Sequence, residues 1–295
     1  GKLLENAEKL LDQKIHPTII TRGYRFAAEK AQSILKELSA EISTEDELLK
    51  IAQTAMTGKG AEHAKDKLSE LMVRAIKSVI ENGKVNLEDI KIEKRKGFSI
   101  EDSELIEGIV IDKERVSQEM PSKIANAKIV LMDCPLEIKT PERETKISIS
   151  SPEQLQNFLN QEEGFLLSMV DKISSVGANV VICQKGIDDV AQFYLAKRGI
   201  YAIRRVAKTD LQKLAKATGG KIVSNLKELT EKDLGFALKV EEYKDSECGM
   251  TYVTGCKNPK AITLLIRGGT DHVIDEVERA VKDGLGDLGA VVKDQ

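Results

Sequence analysis

The run ITLLIRGGTDHVIDEVERAVKDGLG, Ile262 to Gly286, decides how the rest of the chain is read. Ile262 to Ile266 is an apolar stretch of strand length, Gly268 and Gly269 break it, and Thr270 is placed to cap a helix whose first turn holds Asp271. Val273, Ile274, Val277, Ala280, Val281 and Leu285 then recur at helical spacing as a core stripe, leaving Glu276, Arg279 and Asp283 on the opposite side. On the residues alone, Asp283 reads as a solvated i,i+4 partner of Arg279.

Working outward, the chain uses two grammars. Lys2 to Gln13 reads as a helix through Leu3, Leu4, Ala7, Leu10 and Leu11; His16-Pro17 stops it, and Thr18 to Lys36 restarts a second. Ser43-Thr44-Glu45 opens a third, and Ala61 to Glu81 reads as a long fourth with Leu68, Leu71, Met72, Ala75 and Val79 inward. From Ile90 strand patterns take over: IKIEKRKG, ELIEGIVIDKE, KIVLMDCPLEI, ANVVICQKG, YAIRRV, KIVS, ALKVEEYK and MTYVTGC. The helical patterns DDVAQFYLAKRG and TDLQKLAKATGG alternate with the central ones, which predicts an α/β sandwich with some parallel pairing. Ala178 to Cys183, apolar throughout, reads as a strand covered on both faces.

Bulk properties exclude several classes. The 45 basic and 48 acidic residues are interspersed, so no polyanion-binding face follows from a net charge of −3, and nucleic acid is not an expected partner. No apolar run approaches the ~18 residues of a membrane span, and GKLLENAEKLL lacks a basic leader, so a cytoplasmic protein away from membranes is expected. Cys134, Cys183, Cys248 and Cys256 have no metal-ligand spacing and read as reduced thiols. His16, His63 and His272 are far apart, so no metal is assigned.

Two further segments carry information. In QTAMTGKGAEHAKDKL, Gln53 to Leu68, the pair Gly58-Lys59 invites a phosphate-loop reading, but Gln53 stands where a Walker motif needs glycine and Gly60 where it needs Ser or Thr. By its residues this is a helix-initiating turn. Between Pro135 and Ile173, a polar extended stretch precedes a helix opened by Ser151-Pro152-Glu153 with proline at its first position. Leu155, Leu159, Leu166, Val170 and Ile173 form one stripe, while Phe158, Phe165 and Met169 widen it; packing on its own sheet explains the stripe better than it explains the two phenylalanines.

Together with Gly108-Ile109-Val110-Ile111-Asp112-Lys113, Cys183-Gln184-Lys185-Gly186-Ile187-Asp188-Asp189, Leu214-Ala215-Lys216-Ala217-Thr218-Gly219-Gly220 and Gly255-Cys256-Lys257-Asn258-Pro259-Lys260, these segments resemble the group II chaperonins, the archaeal thermosome and its eukaryotic cytosolic relatives, in family order. The resemblance implies an α/β multi-domain fold, in which a helical intermediate domain is interrupted by an inserted α/β apical domain with a helical protrusion. Residues 1–36 would end the equatorial domain, 37–105 and 262–295 would form the two parts of the intermediate domain, and 106–261 the apical domain, with the protrusion at about 138–172. Gly108 and Gly268-Gly269 would lie near hinge crossings. Set against the family, the chain is expected to be an internal fragment, a little over half of a subunit, that follows a Gly-Asp-Gly-Thr-Thr phosphate loop.

The same resemblance implies the chemistry. Asp283 would be the base for ATP hydrolysis, and Thr57, Gly58 and Lys59 a nucleotide-sensing loop whose lysine meets the γ-phosphate. ATP and magnesium would be cofactors of the full-length protein, with none expected on this chain alone. Phe158, Leu159, Phe165, Leu166 and Met169 of the protrusion and Asp210, Lys213 and Lys216 of an apical helix would bind non-native polypeptides. Other subunits of a double ring would be the remaining partners. The competing reading is a passive holdase that uses the apical surface without ATPase activity; a small-molecule α/β enzyme would require a glycine-rich turn after its first strand, and none is visible.

Overall fold

The computed structural model describes residues 1–40, 42, 44–60, 62–81, 84–138, 152–244, 249–256 and 262–293, with the side chains of residues 81, 84, 155 and 293 left aside. They fall in two compact units that part between Thr44 and Glu45. The first contains α1 (Lys2–Asp12) and α2 (Pro17–Leu38). His16 caps α2 by accepting from the Thr18 amide at 3.3 Å, and proline takes the first helical position, where no amide is needed. The Tyr24 hydroxyl ties the helices together by donating to the Leu3 carbonyl at 2.7 Å. A division after residue 36 would cut α2, because nothing in its last turn stops it before Ser39 turns extended.

The second unit begins with α3 (Glu45–Met56), α4 (Lys65–Val79) and a short ribbon of β1 (Ile80–Glu81) and β2 (Lys84–Val85). Here α4 is shorter than its apolar spacing predicts: a 3₁₀ turn, Glu62–Ala64, precedes it and β1 takes over after Val79, while Ala61 lies outside the described residues. Then come β3 (Ile90–Lys96), β4 (Glu104–Ile106), β5 (Gly108–Ile111) and β6 (Lys123–Met132). They are followed by α5 (Pro152–Ser175), β7 (Val180–Cys183), α6 (Asp189–Lys197), β8 (Tyr201–Ile203) and α7 (Lys208–Thr218). The last elements are β9 (Ile222–Val223), β10 (Gly235–Lys244), β11 (Gly249–Cys256), β12 (Ile262–Gly268) and α8 (Asp271–Lys293). The fold is mixed α/β.

The strands build two larger sheets. In the small one β12 is central, parallel to β3 and antiparallel to β4. In the large one the order is β5-β11-β10-β6-β7-β8, with β9 beside the end of β6. Its β6-β7-β8 part is parallel because α5 and α6 supply the crossovers, and its β5-β11-β10-β6 part is antiparallel. The run ELIEGIVI, read as one strand, is two: β4 belongs to the small sheet and β5 to the large one, with only Glu107 between them. Gly108 permits the switch, since a Cβ there would stand 2.1 Å from the Val253 carbonyl oxygen of β11. The large sheet therefore leaves the small one after β4 and returns to it at β12.

Alternation assigns the cores. Val130, Met132, Val181, Cys183 and Ala202 meet Leu166, Val170 and Ile173 of α5 and Leu195 of α6 on one face of the large sheet. Ile129, Leu131, Val180, Ile182 and Ile203 meet Leu211, Leu214 and Ala217 of α7 on the other. Period-two burial on both faces gives the parallel strands their unbroken apolar sequence. The small sheet, α3, α4 and α8 enclose a separate core that includes Met56, Leu68, Met72, Leu264, Val277, Val281 and Leu288.

Candidate functional site

Helix α8 is held where the sequence pattern requires. Thr270 caps it, accepting from the Val273 amide at 3.4 Å, and Ile274, Val277, Ala280, Val281 and Leu285 are buried. Gly284 lets it close on α4, because a Cβ there would meet the Met72 sulfur at 2.8 Å. Along one edge, Lys94 of β3 reaches Asp275 and Glu278, both at 2.9 Å. The hydrogen bond to Asp275 raises the Lys94 ammonium above its ordinary range, and the same bond lowers the Asp275 carboxyl.

The turn after α3 faces α8. Met56, wholly buried, anchors it, and Gly58 at φ +75° takes the left-handed conformation that suits glycine. The Gly58 amide donates to Glu62 at 3.3 Å and Lys65 donates to the Thr57 hydroxyl at 2.7 Å, so the turn is tied to the start of α4. On its other side the Gly60 amide donates to Glu276 Oε1 at 3.1 Å, and Lys59 Nζ reaches Asp283 Oδ2 at 2.7 Å. Lys59 and Asp283, 224 residues apart, thus form one ion pair; Lys59, not Arg279, is the partner of Asp283. The Asp283 side chain keeps 56 % of its exposure, enough for water or a ligand to reach it.

That arrangement offers one ammonium and one carboxylate at a solvent-open edge. The ammonium suits a phosphate oxygen and the carboxylate can orient and deprotonate a water, which fits one end of a nucleotide triphosphate. Among the described residues no three His, Cys, Asp or Glu side chains converge as metal ligands, so magnesium is assigned no residue here.

The expected polypeptide-binding residues separate into three groups. On α5, Leu159 and Phe165 are about half exposed (48 % and 51 %), whereas Leu166 is at 1 %. Leu166 therefore belongs to the core of the large sheet, out of reach of a client while α5 stays packed. Phe158 is half-buried, Met169 packs on the core edge, the Leu155 side chain is outside the described residues, and so is the polar stretch 139–151. On α7, Asp210 pairs with Lys91 at 3.0 Å and Lys216 with Asp89 at 3.5 Å. Lys91 is itself buried and also binds Glu93 and the Val110 carbonyl, at 2.8 and 2.6 Å. Burial, and then the Lys91 charge, lower the Lys213 ammonium, which lines a cleft of about 400 Å³ between α7 and β3. The charged side of α7 is thus turned toward residues 87–93.

Sequence reasoning missed Val190 and Phe193 on α6, 37 % and 53 % exposed. DDVAQFYLAKRG shows them as part of an apolar pattern, and only the sheet's position decides that Ala191 and Leu195 face inward instead. Of the cysteines, burial pushes the Cys183 thiol up to about 12 and the Cys256 thiol up to about 11; Cys248 lies outside the described residues.

A helical core with an α/β block inserted between two of its strands, and a lysine turn closed on an acidic helix, defines a chaperonin-type subunit segment. The chain belongs to the TCP-1/cpn60 chaperonin family, whose model matches residues 1–295. It is 56 % identical to a thermosome subunit of Methanopyrus kandleri and 56 % identical to the thermosome subunit beta of Archaeoglobus fulgidus. Each of these matches covers 100 % of this chain and 55 % of the relative, so the chain spans about half the length of the curated relatives it matches. A solved open-state monomer of a group II chaperonin from Methanococcoides burtonii matches 100 % of this chain and 69 % of its own, with a TM-score of 0.75 and 48 % identity.

Proposed function

We propose that this chain is the part of an ATP-dependent group II chaperonin subunit that couples nucleotide hydrolysis to the capture and enclosure of non-native polypeptides in the cytoplasm, within a double ring of such subunits. The observation that carries the reading is the Lys59–Asp283 pair at 2.7 Å, since two residues from opposite ends of the second unit meet with complementary chemistry at an open edge. ATP with magnesium supplies the phosphoanhydride that is cleaved. Asp283 orients the attacking water and takes its proton, while Lys59 leaves the carboxylate to meet the terminal phosphate oxygens. Freed from its ion pair, Asp283 becomes the stronger hydrogen-bond acceptor for water. Because turn and helix border the core of the small sheet, whose strand β4 leads through Glu107 into β5 of the large sheet, a change at Lys59 is connected to the block that would hold clients.

Support for client capture comes from the outer side of the helical layer. Leu159 and Phe165 of α5 and Val190 and Phe193 of α6 expose apolar side chains on two helices whose buried residues pack on the same sheet face. The deciding experiment is Asp283→Ala in the full-length subunit, with nucleotide binding and hydrolysis measured separately. Hydrolysis lost with binding retained is expected; equal loss of both, or loss of neither, would return Asp283 to the role of a surface ion-pair residue.

A further inference from the structure

Glu276 lies two turns before Asp283 on the same side of α8, and its Oε1 accepts the Gly60 amide at 3.1 Å. Position 60 is fitted to this carboxylate: a Cβ there would stand 2.7 Å from Glu276 Oε2 and 2.9 Å from Oε1, so any side chain would push the carboxylate away. The bonds of Gly58 to Glu62 and of Lys65 to Thr57 shape the turn against α4. Among the described residues, the Gly60–Glu276 bond is the backbone tie from the turn to α8. Lys59 sits between these two sets of ties, and a lysine on a flexible four-carbon stem is directed mainly by where its backbone is held.

We propose that Glu276 is a positioning residue: by holding the Gly60 amide it fixes the backbone of Lys59, and so sets the reach of that ammonium toward Asp283 and toward a phosphate beside it. The inference rests on the reading of Lys59 and Asp283 given above. A carboxylate accepting an amide makes a charge-assisted bond, and a glutamine carbonyl in its place can accept the same N–H without the charge. Glu276→Gln therefore keeps the bond in weaker form and Glu276→Ala loses it. Gly60→Ala mimics the alanine change from the opposite side, by displacing the carboxylate while leaving α8 intact.

The test uses the full-length subunit. Hydrogen exchange of the peptide carrying Gly60 and acylation of Lys59 by N-hydroxysuccinimide acetate report the turn, and steady-state ATP hydrolysis reports its consequence. Loss of one charge-assisted bond predicts about tenfold faster exchange at Gly60 in Glu276→Ala and Gly60→Ala, with faster Lys59 acylation and an unchanged melting temperature. The kcat for ATP falls about tenfold with KM little altered, and Glu276→Gln, which keeps a neutral acceptor, falls between wild type and Glu276→Ala in every readout. Unchanged exchange and acylation in both disruptive variants, or a loosened turn with unchanged kcat, overturns the proposal. Asp283→Ala is run alongside. If it abolishes turnover and Glu276→Ala does not reduce it, only the role of Glu276 fails; if Asp283→Ala leaves turnover intact, the reading of the site fails and this role with it.

Discussion

Helices α8 and α5 have nearly the same length, 23 and 24 residues, and each carries an apolar stripe, yet they are used differently. On α8 the stripe is buried from Ile274 to Val292, and the polar side is occupied as well, by Lys94, Gly60 and Lys59. On α5 the stripe is buried from Leu166 onward, while Leu159 and Phe165 remain in water. Side-chain ties from α5 to α6 and its C-cap run from Glu163 to Tyr194 and from Asp171 to Arg198. The difference teaches that an amphipathic pattern specifies a helix and one face, but not how far along the helix a partner extends. Two occupied sides make α8 a fixed platform; on α5 the exposed Leu159 and Phe165 leave apolar surface in water.

The largest effect that would break this contrast lies on the platform. Asp283→Ala in the full-length subunit is expected to lower hydrolysis by about 10²- to 10⁴-fold, the range general-base removal produces. A fall of less than about tenfold would make α8 an ordinary surface helix. Next come matched truncations. Leu288→Ala on α8 and Leu166→Ala on α5, both in buried sites, are each expected to cost about 2–5 kcal/mol in denaturant unfolding, and Leu159→Ala, at a half-exposed site, about 1 kcal/mol. Equal costs for Leu166 and Leu159 would erase the division of α5. Smaller still is Lys59→Ala, which removes a partly exposed ion pair and should change stability by less than about 1 kcal/mol. A larger loss would make the turn a structural clamp and weaken its role as a sensor.

Much of this was legible before any coordinates. The inward set of α8, the end of β12 at the glycine pair Gly268-Gly269 and most strand runs follow from period and turn chemistry, because burial here obeys local repeats. The candidate pair was legible only one residue at a time. Nothing in the spacing of Lys59 and Asp283 joins them; their meeting depends on Gly284 allowing α8 to approach Met72, a contact between segments far apart in sequence. Arg279 was the local choice for Asp283 because i,i+4 pairing can be seen in a sequence and a tertiary partner cannot. The charges of α7 illustrate the same limit, since TDLQKLAKATGG gives no sign that Asp210 answers the buried Lys91 of β3. ELIEGIVI misled for a different reason: both halves are apolar and extended, and only packing distinguishes two sheets from one.

The most specific functional effect is expected at the outer end of α5. Leu159→Ser with Phe165→Ser removes two side chains that are about half exposed, so only about half the burial of each is lost, and the unfolding free energy should fall by about 1–2 kcal/mol. An apolar patch held in water is stabilised only when a partner covers it, and unfolded chains offer such cover. Capture of a denatured client by the double variant should therefore fall at temperatures where the variant stays folded. Val190→Ser with Phe193→Ser on α6 extends the comparison to the neighbouring helix, whose buried residues pack on the same sheet face. If capture depends on the layer as a whole, both double variants weaken it and the four-residue variant weakens it further. Unaltered capture in all three, or a loss of stability as large as that of Leu166→Ala, would show that these side chains serve the fold rather than a client.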